Sequence, residues 1–199
     1  MRTPAVSVRT LTSIIVLLPV LLNGAQDPNR WRKTAPETFS ANASITAAPG
    51  GTATSLSVHI DKYTPDPEHQ ALVTALTGST QAAFLETLKQ AAPAGTLKIG
   101  DRSFTIRWAR ERIQGDRRRI IAVTDAPIFF FGAGAVDAKP TEGYDLGVVE
   151  FTVDSIGLGK GTMAAAAKVK PGGPTGVQVD DYSGKRIELL TVRREQSKS

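Results

Sequence analysis

His59 and Asp61 stand two residues apart in "SLSVHIDKY" (55–63), where Leu56, Val58 and Ile60 alternate with Ser57, His59 and Asp61. A period of two is that of a strand, so the imidazole and the carboxylate share one face. Such a pair offers two chemistries: ligands for a metal ion, or a general base oriented by its neighbouring carboxylate. The apolar residues take the opposite face, so the His59 face is the polar one and a solvated strand surface is the simpler account. A hydrolase or isomerase using His59 and Asp61 is therefore the alternative reading. His69 falls in the first turn of a helix, where a surface position is expected. With two histidines and no cysteine in the chain, neither a transition-metal site nor a cofactor is expected.

Covalent catalysis has less support. There is no Gly-x-Ser-x-Gly elbow and no thiol. A glycosidase-like carboxylate pair would have to be assembled from separate segments, such as Asp61, Asp137, Asp154 or Asp181. Two glycine-rich stretches invite a nucleotide reading, and both fail it. In "APIFFFGAGAVDAKP" (126–140) Pro140 and Gly143 leave no room for the helix that a dinucleotide fingerprint needs, and Asp137 holds the third glycine's place. "GLGKGT" (157–162) has Asp154 and Gly161 where a phosphate loop requires Gly and Ser or Thr.

The strongest charge feature is basic. Between residues 98 and 119 eight basic side chains face three acidic ones, while the rest of the chain after residue 25 sums to −2. Arg107, Arg110, Arg112, Arg117, Arg118 and Arg119 are expected to cluster along one hairpin and its tip. Guanidinium clusters attract phosphates, carboxylates or sulfates; a charged tip that keeps a sheet edge from pairing is the plainer account. A second candidate is aromatic: Phe129 and Phe131, with Trp108 and Tyr144, can line a pocket for a small apolar ligand, although core packing explains such residues too.

The elements that must position these groups read as follows. "TFSANASITA" and "TATSLSVHIDKY" are strands separated by the turn "APGG". "TPDPEHQALVTALTG" is a helix with Asp66 as N-cap, Pro67 in its first turn and Gly78 as its stop. "STQAAFLETLKQAAP" is a second helix, capped by Ser79 or Thr80 and ended by Pro93. Together they form a helical hairpin over about 67–92. Strands then continue to the end: "GTLKI", "FTIRWARERI", "RRIIAVT", "YDLGVVEFTV", "GTMAAAAKVKP", "TGVQVDDY" and "RIELLTVRR". The four alanines of the seventh favour helix, but its glycine-rich borders and neighbouring hairpins favour strand. The fold class is α+β: about nine strands in a strongly curved, largely antiparallel sheet, barrel- or sandwich-like, with one helical hairpin.

Residues 1–25 have the layout of a signal peptide: Arg2 and Arg9, then the uncharged "LTSIIVLLPVLL", then "NGA". The apolar core falls short of the about 20 residues that span a bilayer. Cleavage after Ala25 is expected, with an uncleaved anchor as the alternative. Residues 26–38 read as a flexible lead-in, 39–194 as one domain and 195–199 as a disordered tail. Export without any cysteine fits a bacterial envelope better than a eukaryotic secretory route. "VHIDKYT" (58–64), "FTIRWAR" (104–110), "VTDAPIFFFGAGAVDAKP" (123–140) and "GKGTMAAAAKVKPGGPTGVQVDDY" (159–182) together resemble an uncharacterised group of small exported bacterial proteins. The resemblance implies a periplasmic or extracellular bacterial protein and carries no activity, ligand or catalytic residue. The expected function is non-catalytic: binding of a small apolar or anionic ligand, an anionic envelope component, or a protein partner. Nucleic acid is not an expected partner in that compartment.

Overall fold

Nine strands form among the described residues, and their registers close a barrel. A computed structural model describes residues 35–45, 52–78, 80–129, 141–184 and 186–196. The expected signal peptide, most of the lead-in, Phe131 with the glycine turn after it, and residues 197–199 lie outside these. In chain order the elements are β1 (Glu37–Ile45), β2 (Thr52–Ile60), α1 (Asp66–Gly78), α2 (Gln81–Gln90), β3 (Gly95–Ile99), β4 (Arg102–Gln114), β5 (Arg117–Thr124), β6 (Leu146–Val153), β7 (Leu158–Pro171), β8 (Val177–Tyr182) and β9 (Ile187–Arg194). The barrel order is β1-β2-β3-β4-β5-β6-β7-β9 and back to β1, every neighbour antiparallel. The curved antiparallel sheet and the helical hairpin are therefore both present. No helix among the described residues is long and apolar enough to cross a membrane.

β7 explains the ninth strand. Its first half pairs with β9 and its second half with β8, so β8 continues the edge that β9 occupies lower down. Inside the tetra-alanine run the pairing slips by one residue, Val148 opposing Ala164 but Leu146 opposing Ala167. The carbonyls released there are taken up: Ala165 O accepts from Ile128 N at 2.6 Å, and Ala166 O from Ser183 N at 2.9 Å. Small side chains let these segments approach, which is why alanines stand in a strand.

Alternation along the staves builds two cores. Inward-facing Phe39, Leu56, Val58, Leu97, Ile106, Ile120, Phe151 and Met163 fill the barrel. Eight strands enclose a space that side chains of this size can fill. On β4, β5, β6 and β7 the outward-facing positions change character halfway along the strand. Trp108 on β4, Ile121 and Val123 on β5, Leu146 and Val148 on β6, and Ala164 on β7 form the apolar upper half, covered by Leu72, Leu76, Phe84 and Leu88 of the helical hairpin. Below them the same outward positions hold Arg112, Arg117, Arg119, Glu150, Thr152 and Lys160. α2 is fixed at its N-terminal end. Thr80, with φ −131° and ψ 166°, accepts from Ala83 N, and Gln81 bonds Gly143 O and Val169 N.

The base of the barrel is shut by charge. Glu37, 4% exposed, accepts from Arg118 Nη2 at 2.6 Å, Arg118 Nη1 at 3.2 Å, Arg194 Nε at 2.9 Å and the Tyr63 hydroxyl at 2.5 Å. Arg118 also donates to Glu111 Oε2 from Nε and Nη2 at 3.1 and 2.7 Å. Burial holds the Tyr63 phenol far above its ordinary range, with the Glu37 charge adding to it. Burial pulls Arg118 the other way, but its hydrogen bonds to Glu37 and Glu111 together with the Tyr63 and Glu37 charges outweigh that, and its proton is held more tightly than usual. β1 thus begins at Glu37, inside the stretch expected to be a flexible lead-in. Glu37→Ala should cost about 3–5 kcal/mol, because it strands a buried guanidinium. Urea unfolding measures this, and a cost below about 1 kcal/mol would count against the closure.

Candidate functional site

One register row crosses four strands on the lower outer wall. Arg112 stands opposite Arg119 across β4–β5, Arg119 opposite Thr152 across β5–β6, and Thr152 opposite Lys160 across β6–β7. Arg117 lies two residues from Arg119 on the same face of β5. Like charges directly opposite one another on a sheet repel, and Arg112 faces Arg119 in this way. Glu150 relieves part of this, with its Oε1 at 2.5 Å from Arg119 Nη2. Arg112, Arg117 and Lys160 are exposed and have no carboxylate partner among the described residues.

The row opens into a groove. Arg119, Glu150, Thr152, Lys160 and Thr162 form one side, and Gln178 and Tyr182 of β8, with Arg186 just before β9, form the other, around about 320 Å³. A second, more open cleft of about 500 Å³ runs on toward the base between Arg117, Asp154 and Leu158, and shares Thr152 and Lys160 with the first. Beneath the clefts β7 crosses β6 closely enough to need glycine at inward-facing positions: a Cβ on Gly159 would lie 1.8 Å from Thr152 O, and one on Gly161 would lie 2.3 Å from Glu150 O. Arg186 is paired with Glu188 at 3.2 Å on the solvent side.

The arginines expected to form one cluster separate. Arg118 points inward, one residue out of phase with Arg117 and Arg119, and is consumed by Glu37 and Glu111. Arg110 donates to Asp66 at 2.9 Å and to Thr64 O at 2.7 Å, anchoring the start of α1. Arg107 occupies a bulge in β4 and joins Asp125 at 2.7 Å to Ala91 O, beyond the end of α2, at 3.0 Å. These three are structural ties. Arg117 and Arg119 line the two clefts, with Arg112 beside them in the register row, and are joined by Lys160 and Arg186, which the sequence does not single out.

His59 and Asp61 do come together. His59 Nε2 lies 3.1 Å from Asp61 Oδ1, and Nδ1 lies 2.8 Å from Thr38 Oγ1. Both ring nitrogens are occupied, and the side chains are 44% and 57% exposed on the open wall of β1, β2 and β3. Such a place neither excludes water nor encloses a substrate. Among the described residues no three His, Asp or Glu side chains gather as a metal site.

The aromatic candidates also separate. Trp108 is fully buried under the helical hairpin and offers no face to a ligand. Phe129 is half-buried, and its carbonyl accepts from Arg102 Nη1 at 2.8 Å. Tyr144 donates to Asp181 Oδ2 at 2.6 Å, with Lys168 Nζ 4.6 Å from its ring centre. That hydrogen bond raises the Tyr144 phenol and lowers the Asp181 carboxyl. Phe131 lies outside the described residues.

No protein-family model, curated protein or solved structure matches the chain.

His69, expected at the surface, is only partly exposed. Its ring stacks on Trp108, centroids 5.8 Å apart at 24°, and its Nδ1 is buried without a partner. Burial lowers its pKa, the Arg110 charge lowers it further, and Asp66 opposes both. The unfolded imidazole takes a proton near pH 6.5 and the folded one resists it, so stability is full above that pH and falls below it. The urea midpoint should drop between pH 7.5 and 5.5, and His69→Gln should flatten the change. A wild-type midpoint that stays constant over that range would contradict this.

Proposed function

We propose that the chain is a non-catalytic binding protein that holds an anionic ligand in the groove between β8 and the outer wall of β5, β6 and β7. The observation that carries this is the register row Arg112–Arg119–Thr152–Lys160, which fixes cations on rigid strands beside a polar cleft. Guanidinium and ammonium donors on fixed backbone bind carboxylate or phosphate with little reorganisation. A ligand inside the barrel has no such support, because side chains fill that space. The leader expected at residues 1–25 would place the protein in a bacterial envelope, where anionic components are the partners this groove suits.

Titration of the isotope-labelled protein with glucuronate, and separately with inorganic phosphate, tests the reading. Amide shifts should move at Arg119, Thr152, Lys160, Gln178 and Arg186. A hydrogen bond to a charged group is worth about 1.5–3 kcal/mol, so Arg119→Gln or Lys160→Gln should weaken binding by about tenfold or more. His59→Ala should leave it unchanged. Shifts that appear only around His59 and Asp61, or with neither anion, would defeat the groove as the site.

A further inference from the structure

We infer that the ligand is a linear acidic glycan, a chain of sugars bearing carboxylates, laid across the strands from Arg186 and Tyr182 toward Arg117; this rests on the groove being the anion site.

Continuity is the first support. The two clefts, of about 320 and 500 Å³, are adjacent and share Thr152 and Lys160 as lining residues. A single small anion would touch a fraction of that length. Spacing is the second. Adjacent strands lie about 4.8 Å apart, so Arg119 on β5 and Lys160 on β7, two strands apart, are separated by roughly 10 Å of backbone. Arg117 lies roughly 7 Å from Arg119 along β5. Cations so placed meet charges that recur along a chain, with uncharged stretches between them.

The mixture of charges then selects among polyanions. Glu150 and Asp154 stand among the cations. A phosphate at every step, as in polyphosphate or nucleic acid, would run against those carboxylates. A glycan brings hydroxyls that donate to them. Thr152, Thr162 and Gln178 each carry donor and acceptor capacity, which suits hydroxyl partners. A nucleic-acid strand would call for a succession of aromatic platforms, and among the described residues the rings lining this groove are Tyr182 and Phe151, the latter buried.

Calorimetry on the full chain with galacturonate oligomers of two, four and six units tests the inference. Affinity should climb at least tenfold from dimer to hexamer. Arg117→Gln should weaken the hexamer several-fold, and a neutral glucose hexamer should not bind. Equal affinity for dimer and hexamer would overturn the polymer and leave the groove as a small-anion site. Tighter binding of polyphosphate or of a thymidine hexamer would overturn the glycan in favour of a denser polyanion. Hexamer affinity unchanged in the folded Arg119→Gln/Lys160→Gln variant, checked by circular dichroism, would overturn the groove itself.

Discussion

The carboxylate of Glu37 is the point on which the barrel closes. It sits at the start of β1 and takes donors from β5, β9 and the segment after β2, so one side chain joins four parts of the wall across the base. Removing charges from water costs several kcal/mol per ion, and only close, saturated geometry offsets it. Here that condition is met. Arg118 forms a fork on Glu37 and a second contact set on Glu111, leaving neither guanidinium face idle. Whether the cluster adds net stability over an apolar plug matters less than the pairing it specifies. β1 cannot slip relative to β9 without abandoning Arg194, nor relative to β2 without abandoning Tyr63.

With the staves fixed in register, side-chain alternation distributes roles around the wall. A shift of one residue would send Arg118 outward and Arg119 into the core, so the base cluster and the cationic row depend on the same register. The change of outer-face character halfway along β4 to β7 then does two jobs. The apolar upper half holds the helical hairpin, and the charged lower half is left open to solvent. The groove ends where the hairpin's cover begins, and β8 supplies the missing side because β7 is too long for β9 alone.

Much of the fold was legible in the sequence. The period of two in β2 and in the first part of β4, the Thr80 cap and the stops at Gly78 and Pro93 are local signals, and local signals determine element type. The ambiguity of "GTMAAAAKVKP" resolves to strand because β6, β8 and β9 pair with it, and no nearby residue states that. The site was only half legible. Arg112, Arg117 and Arg119 were visible as a charge run, but the alternation that removes Arg118 from it is clear only once Glu37 is known to lie across the base. Lys160 joins the row through β6–β7 pairing, and Arg186 through the path from β8 to β9. One signal was available: Arg117 and Arg119 precede Ile121 and Val123, as Lys160 and Thr162 precede Ala164, on one face of each strand. A reading by half-strand would have linked them.

Bulges account for the remaining misplacements. At Arg107 an extra residue shifts the phase of β4, so Ile106 faces in while Trp108 faces out, and the apparent alternation of Phe104, Ile106 and Trp108 is broken. Thr191 does the same in β9, with a φ of 52° in the left-handed region, letting both Leu189 and Val192 face the interior. Bulges increase twist and bend a strand, and a barrel of eight staves needs both to close. The irregularities are therefore conditions of the same closure that Glu37 completes. They also leave the interior to side chains: a barrel wound this tightly is filled by Phe39, Phe151 and Met163.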